Sequence, residues 1–245
     1  MRRVTLFDMR IDAGEREELL LAARALRGRG GQILTVNPQM LMRAREDEAL
    51  RGAMARATLA IPDGNGVKGA LGMCGVKSDV LAGVDLGELL PEAGDSIGIV
   101  GGRAGVAARA FSHLAARCRG LRAAFLLDGY TFDEASLCAL LREHRPTFLY
   151  VALGVPRQEL LIDRVRACSP STVCIGLGGS LDVYAADVRR APVWLRRLRL
   201  EWLYRMLREP HRMRLLPVLL RFIYLSMKES VRIKCTKKRK SAPEN

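Results

Sequence analysis

The sequence predicts an α/β fold, in which a mostly parallel β-sheet is flanked by helices and followed by a basic, amphipathic helical appendage. Three observations support this prediction. Short apolar segments alternate with longer amphipathic segments, which is the pattern of repeated β-α units. Glycine-rich or polar turns follow most of the apolar segments. From residue 193 onwards the alternation stops, and only helical patterns with arginine and apolar side chains remain.

The first third of the chain contains three apolar segments and two amphipathic ones. Strands are predicted at residues 5–9, 32–36 and 58–61, and helices at residues 12–27 and 40–57. Glycines at Gly28–Gly31 end the first helical pattern. The turns Asn37-Pro38 and Pro62-Asp63-Gly64 follow the second and third strands, so both are expected at strand ends.

The alternation is more regular after Asp85. Strands are predicted at residues 96–100, 123–127, 147–153 and 172–177, and helices between them at residues 106–118, 133–144 and 158–168. The carboxyl ends of parallel strands meet at one rim, where Rossmann-like sheets bind their ligands. We therefore assign residues 1–192 to one Rossmann-like core with its binding site on that rim.

Positive charge is concentrated at the end of the chain. Residues 188–245 contain 17 Lys/Arg against 4 Asp/Glu, so within a total of +14 the preceding part is nearly neutral. Helices are predicted at residues 194–209 and 213–233, and Pro217 should bend or restart the second. The apolar surface edged by arginine is typical of an interfacial helix. We assign residues 193–236 to a membrane-association appendage and residues 237–245, including Lys237–Lys240, to a disordered basic tail.

Composition also narrows the function classes. Aromatic residues make up 5% of the chain, which disfavours a stacking surface for single-stranded nucleic acid. Neither a signal-peptide pattern nor an apolar run of about 18 residues is present, so a cytoplasmic location without a membrane span is predicted. Six cysteines without a CxxC pair indicate reduced core cysteines rather than a zinc site.

Three turns carry candidate chemistry, and each has a structural alternative. The glycines of residues 101–105 would let backbone N–H groups approach a phosphate, but the segment lacks the GxGxxG pattern and is equally a tight turn. Asp63 could act as a catalytic carboxylate, although aspartate in such a sequence is more often a turn former. Asn37 could bind a sugar hydroxyl, but helix capping is the favoured interpretation.

Four segments, in order, resemble the WecG/TagA/CpsF family, also known as glycosyltransferase family 26. They are Thr35-Val36-Asn37-Pro38, Ile61-Pro62-Asp63-Gly64-Asn65-Gly66-Val67, Gly154-Val155-Pro156-Arg157-Gln158-Glu159, and Arg190-Ala191-Pro192 leading to Leu200-Glu201-Trp202-Leu203-Tyr204-Arg205. Residues 82–86 and 178–182 also fit. The ordered set is specific, whereas one such motif would be weak.

The resemblance implies an inverting transfer of N-acetylmannosamine or another hexose from a UDP-sugar to a polyprenyl-diphosphate-linked sugar. This reaction would serve cell-surface polysaccharide synthesis at the inner face of the membrane, without a metal or cofactor. It identifies Asp63 as the general base, with Asn37 and Gln158 lining the pocket. The other substrate-binding candidates are Thr35, Gly64, Asn65, Gly101, Gly102, Gly105, Gly129, Tyr130, Gly154, Pro156, Arg157, Glu159, Gly178, Gly179 and Asp182. The arginines expected to engage the lipid diphosphate are Arg205, Arg212, Arg214 and Arg221.

The chain departs from the family pattern at two positions, with Val80 where an arginine is usual and Leu181 where a phenylalanine is usual. In the expected mechanism, Asp63 takes the acceptor proton. Backbone N–H groups near residues 101–105 and the side chain of Arg157 stabilise the leaving UDP.

Other functions stay open from the sequence alone. A nucleotide-binding oxidoreductase would need the GxGxxG pattern that the chain lacks. A non-catalytic protein could bind a membrane or a nucleic acid through the basic segment and keep only a nucleotide-binding core. A family member without activity could scaffold other enzymes. An exposed apolar appendage could also bury itself against a second subunit, which would give a homo-oligomer.

Overall fold

The computed structural model describes residues 1–186, Pro192, Leu195, Tyr204 and residues 210–240, with side chains in the last segment described for residues 213–232. Its strands are β1 (Arg2–Leu6), β2 (Met9–Ala13), β3 (Gly31–Val36), β4 (Leu59–Pro62), β5 (Ser96–Gly101), β6 (Arg122–Leu127), β7 (Phe148–Ala152) and β8 (Val173–Gly176). Its α-helices are α1 (Arg16–Arg24), α2 (Pro38–Ala44), α3 (Glu48–Arg56), α4 (Gly64–Met73), α5 (Gly83–Leu89), α6 (Val106–Arg117), α7 (Glu134–His144), α8 (Arg157–Val165), α9 (Ser180–Tyr184) and α10 (Leu216–Lys240).

A six-stranded sheet forms the centre of the fold, with strand order β4-β3-β8-β7-β5-β6. All five strand pairs are parallel, which confirms the predicted α/β class. Strands β1 and β2 pair separately as an antiparallel hairpin next to β4. The buried carboxylate of Asp12 in β2 joins the two sheets by accepting a 2.9 Å hydrogen bond from the backbone N–H of Ala60.

Alternating side chains bury both faces of the six-stranded sheet. On one face, Ile97, Ile99 and Tyr150 pack with α1, α5, α6 and α9. On the other face, Val100 and Val151 pack with α7 and α8. Burial of both faces explains why these strands appear in the sequence as continuous apolar runs rather than as alternating patterns.

A third apolar cluster joins the hairpin to α2, α3, α4 and the C-terminal helix α10. Phe222 of α10 is 2% exposed in this cluster, and its ring meets that of Phe7 edge to face at a centroid distance of 5.8 Å. One face of α10 is therefore part of the core.

The N-terminal elements differ from the prediction in two places. The strand predicted at residues 5–9 is a hairpin, because Phe7 and Asp8 adopt positive φ angles and reverse the chain. As a result α1 begins at Arg16 rather than at residue 12. The helix predicted at residues 40–57 is divided into α2 and α3, because the side chain of Asp47 caps a new helix by accepting from the N–H of Leu50 at 3.0 Å.

The C-terminal segment partly matches its prediction. A 3-10 helix at Pro210–Leu215 precedes α10, so a helix restarts next to Pro217 as predicted. Helix α10 continues to Lys240 and includes the basic run Lys237–Lys240. The helix predicted at residues 194–209 lies almost wholly outside the described residues. No described helix is long and apolar enough to cross a bilayer.

The prediction of reduced cysteines is wrong for one pair. Cys138 in α7 and Cys168 in the short 3-10 helix after α8 form a disulfide, with their Cα atoms 5.4 Å apart. Both lie at the edge of the same apolar cluster, so packing of α7 against the end of α8 brings them within bonding range. Their separation of 30 residues gave no local signal in the sequence.

Candidate functional site

The carboxyl ends of the six parallel strands form one rim, and the core site residues predicted from sequence lie on it. Val36, Pro62 and Gly176 end three strands that are adjacent in the order β4-β3-β8. Ala152 and Gly101 end the next two. The turns after these strands are therefore the place where side chains can converge on a ligand.

Asn37 and Asp63 follow the neighbouring strands β3 and β4. The N–H of Asp63 donates a 2.8 Å hydrogen bond to the carbonyl of Val36, which holds the two turns side by side. The side chain of Asn37 accepts from the N–H of Met40 at 2.9 Å, so the capping interpretation is confirmed for this residue. Asp63 precedes α4 but its half-buried carboxylate makes no capping hydrogen bond.

Glycines allow these two turns to approach closely. Gly64 begins α4 with a φ angle of +81°, a conformation that other residues rarely adopt. A Cβ atom on Gly66 would lie 2.7 Å from Cγ of Pro38, so only glycine fits without a shift. The same atom would lie 3.7 Å from the ring of Phe222. Asn65, between Gly64 and Gly66 in the sequence, is half-buried in the first turn of α4.

Gln158 and Glu159 lie in the first turn of α8, and their side chains lie beside Gly176, the last residue of β8. The Oε1 atom of Gln158 accepts from the N–H groups of Gly154 at 3.2 Å and Gly178 at 3.1 Å. Its Nε2 atom donates to Oε1 of Glu159 at 2.7 Å. Glu159 is 1% exposed, and burial raises the pKa of its carboxyl group to about 7. The sequence predicts that Glu159 contacts the substrate directly, and such contact would require a conformational change that exposes this buried carboxyl group.

Thr35 and the turn after β8 complete this side of the rim. The buried hydroxyl of Thr35 donates to the carbonyl of Gly176 at 3.4 Å. Gly178 has a φ angle of +49°, and Gly179 occupies the N-cap position of α9. Asp182 lies in the first turn of α9 and is half-buried. These residues connect β3, β8 and α9 next to the Gln158 side chain.

The glycine turn after β5 is joined to the turn after β6. Gly101, Gly102 and Gly105 all adopt positive φ angles, and the N–H of Gly129 donates to the carbonyl of Gly102 at 2.8 Å. Tyr130 is 78% exposed next to this turn. The sheet order separates this pair of turns from Asp63, because four strand intervals of ~4.8 Å, or roughly 19 Å, lie between β4 and β5.

The candidate cationic residues occupy different environments. Arg157 is exposed as the first residue of α8, directly after Pro156, whose peptide bond with Val155 is cis. Arg214 is exposed before α10. Arg221 donates to the carboxylate of Glu46 beyond α2, a partner that the sequence did not indicate. The position of Arg205 and the side chain of Arg212 lie outside the described residues.

The position of Val80 has a polar environment that the sequence did not reveal. Arg16, at the start of α1, donates from Nη1 to the carbonyl of Val80 and from Nη2 to the carboxylate of Asp85, both at 3.3 Å. The N–H of Arg16 also donates to Asp79 at 3.4 Å. A guanidinium group therefore lies next to the turn that precedes α5, although it comes from a distant part of the chain.

The described residues contain no candidate metal site, and the best-formed cavity lies away from the predicted site residues. Within residues 1–186 and the described part of the C-terminal segment, no cluster of three or more His, Cys, Asp or Glu side chains could hold a metal ion. A cavity of about 870 Å³ lies beside the far end of α4, lined by residues that include Gly14, Lys68 and Asp79. None of the predicted site residues lines this cavity.

Comparison with known proteins identifies a family and two similar enzymes. Residues 4–236 match the sequence profile described as the glycosyl transferase WecG/TagA/CpsF family. An N-acetylglucosaminyldiphosphoundecaprenol N-acetyl-beta-D-mannosaminyltransferase from Bacillus spizizenii is 32% identical over 191 residues, or 76% of this chain and 74% of the relative. An enzyme of the same name from Bacillus subtilis is 34% identical over 188 residues, or 75% of this chain and 73% of the relative.

Proposed function

The chain belongs to the WecG/TagA/CpsF glycosyltransferase family, and we propose that it transfers N-acetylmannosamine from a UDP-sugar to N-acetylglucosaminyl-diphospho-polyprenol. The names of the two Bacillus relatives carry this proposal, because both specify the transferred sugar and the lipid-linked acceptor. The alignments cover about three quarters of this chain, and the family match over residues 4–236 spans the rim of the sheet. The product would be a lipid-linked disaccharide for cell-wall polysaccharide synthesis.

Asp63 is the general base in this proposal. The acceptor hydroxyl must lose its proton as it attacks the anomeric carbon, and a carboxylate within hydrogen-bond reach can take that proton. Asp63 stands at a strand end, beside Asn37, and its carboxylate is not used to cap α4. These features support the assignment over the alternative of a simple turn former.

The donor lies along the rim with its sugar near Asp63 and its nucleoside towards β5. Arg157 and the turn at Gly178 follow strands between these two ends, so they are placed to offset the charge that develops on the leaving diphosphate. The glycine turn of residues 101–105 and Tyr130 suit the nucleoside end, because roughly 19 Å of sheet separates the base from β5 and one further strand interval separates it from β6.

The lipid-linked acceptor requires a position at a membrane surface, and α10 offers one. Its exposed face carries an apolar stripe opposite the buried Phe222, formed by Leu220, Ile223, Tyr224, Met227 and Val231. Arg221 and Lys228 are exposed beside the stripe. An apolar stripe with cationic margins fits the plane of a bilayer interface. We infer a peripheral position on the cytoplasmic face, where UDP-sugars are available.

UDP release from UDP-N-acetylmannosamine in the presence of a detergent-solubilised N-acetylglucosaminyl-diphospho-lipid tests the function. We expect acceptor-dependent release by the wild type and a loss of about 100- to 10,000-fold in kcat for Asp63→Asn, the usual contribution of a general base. Asp8→Asn is the matched control, because Asp8 is exposed in the hairpin turn with a φ angle that asparagine tolerates.

Two outcomes would count against the proposal. Absence of release by folded wild-type protein, with N-acetylmannosamine and other UDP-sugars alike, would remove the proposed reaction. Near-normal release by Asp63→Asn would instead remove Asp63 from the role of base. A UDP titration of both proteins separates these cases, because Asp63→Asn should bind UDP as the wild type does.

A further inference from the structure

The buried pair Gln158 and Glu159 forms a hydrogen-bonded clamp between two turns of the rim. Gln158 is 3% exposed and uses both ends of its amide group. Its oxygen bridges the N–H groups of Gly154, after β7, and Gly178, after β8. Its nitrogen donates to Glu159. The amide therefore connects turns that follow neighbouring strands of the sheet.

The orientation of this amide depends on the carboxyl group of Glu159. Two N–H donors face one end of the amide, and a carboxyl oxygen faces the other end at 2.7 Å. A flipped amide would place its NH₂ group against two N–H donors. It would also place its oxygen against the carboxylate oxygen of ionised Glu159, so in that state every pairing would become repulsive. Only the observed orientation satisfies all of these groups.

Glu159 occupies a position where a carboxyl group is unfavourable for the fold itself. Its Oε2 atom is buried and has no hydrogen-bond partner among the described residues. An apolar side chain of similar size would avoid the free-energy cost of burying this group. The hydrogen bond that Oε1 of Glu159 accepts from Gln158 offsets part of this free-energy cost.

The last residue of β8, Gly176, has no side chain, and this leaves room for the pair. A Cβ atom on Gly176 would lie 2.6 Å from Nε2 of Gln158 and 3.1 Å from Oε1 of Glu159. The absence of a side chain at Gly176 thus lets both polar groups lie against the end of the strand.

We propose that Glu159 is a positioning residue, which fixes the Gln158 amide so that its oxygen holds the turns at Gly154 and Gly178 together. It acts through Gln158 and does not touch the substrate. The effect on sugar transfer rests on the proposed function, whereas the effect on the two turns does not. Breaking the clamp should misplace groups on either side of the donor site, including Arg157.

Amide hydrogen exchange at Gly154 and Gly178 tests the clamp without reference to activity. We expect faster exchange at both amides in Glu159→Met and in Gln158→Ala. Glu159→Gln should retain slow exchange, because its amide oxygen can still accept from Gln158 and its size is unchanged. Glu143→Met, at an exposed position of α7, is the matched control. If Glu159→Met leaves exchange at both amides unchanged, the clamp is refuted.

Transfer kinetics then test whether the clamp serves catalysis. Glu159→Met should lower kcat/KM by about 10- to 100-fold, as expected for a small displacement of a positioned group. Glu159→Gln should recover most of that loss. In the Gln158→Ala background, Glu159→Met should cause no further loss, because both changes break one unit. An equal loss in both backgrounds would overturn the assignment.

Two further cases, a variant that does not fold and a wild type without transfer activity, are each decided by a separate measurement. If Glu159→Met does not fold, Gly176→Ala displaces the same amide from the side of β8 and should give the same changes in exchange. If the wild type shows no sugar transfer, the proposed function fails, while the exchange measurements still decide whether Glu159 holds the clamp.

Discussion

Replacement of Phe222 by alanine should loosen helix α10 from the two turns that carry Asn37 and Asp63. The ring of Phe222 is almost fully buried, meets Phe7 edge to face, and lies next to Gly66. Truncation of a buried phenylalanine costs about 3–5 kcal/mol, including the cavity that it leaves. Even the lower value would weaken docking of α10 by more than about 100-fold.

Hydrogen exchange and thermal unfolding measure this effect, with Ile223→Ala as the control. Ile223 is the next residue along the helix, about 100° around its axis, and is 51% exposed, so its truncation should leave exchange and melting temperature almost unchanged. In Phe222→Ala we expect faster exchange in α10 and at the start of α4, and a lower melting temperature. If Phe222→Ala and Ile223→Ala behave alike, α10 is not docked through this face.

Three further perturbations follow from the structure. Ile223→Asp with Tyr224→Asp should abolish flotation on anionic vesicles without lowering the melting temperature; unchanged flotation, or equal binding to DNA, would contradict a lipid-binding stripe. Removal of the disulfide by Cys138→Ser with Cys168→Ser should lower the free energy of unfolding by about 3–4 kcal/mol, measured by urea denaturation; an unchanged value would show that the bridge does not stabilise the fold. Burial raises the pKa of Glu159 from 4.5 to about 7, so the folded state holds this proton more tightly than the unfolded state. Stability should therefore fall by about 3 kcal/mol as pH rises from 4.5 to 7, relative to Glu159→Gln, and parallel pH profiles for the two proteins would refute this.

The sheet and its rim could be predicted because they depend on patterns local to the sequence. Strands buried on both faces appear as apolar runs, and each run was followed by a turn whose place at the strand end needs only parallel pairing. Asn37, Asp63, Gln158 and Gly178 could therefore be assigned to one rim before their neighbours were known. Three of the four ordered segments that resemble the family contain Asn37, Asp63 and Gln158, and the fitting segment 178–182 contains Gly178.

Tertiary contacts could not be predicted from the sequence in the same way. The clamp depends on which way two adjacent side chains turn, and nothing in the order Gln158-Glu159 distinguishes a buried pair from an exposed one. Phe222 and Ile223 are similar in hydrophobicity, yet one lies in the core and the other in solvent, because the core covers only one face of α10. The disulfide and the contact of Arg16 with Asp85 likewise join residues that are distant in the sequence.

The two faces of α10 would let the helix link a membrane surface to the proposed site. One face holds Phe222 against the turns of Pro38 and Gly66, which flank the proposed base. The opposite face carries the apolar stripe, and Arg221 at the margin is tied to Glu46 beyond α2. A bilayer that binds the stripe would therefore hold the turns of Asn37 and Asp63 at a fixed distance from the headgroups. If the lipid-linked acceptor is the substrate, as proposed, this arrangement would favour transfer to a membrane-bound acceptor over transfer to a soluble one.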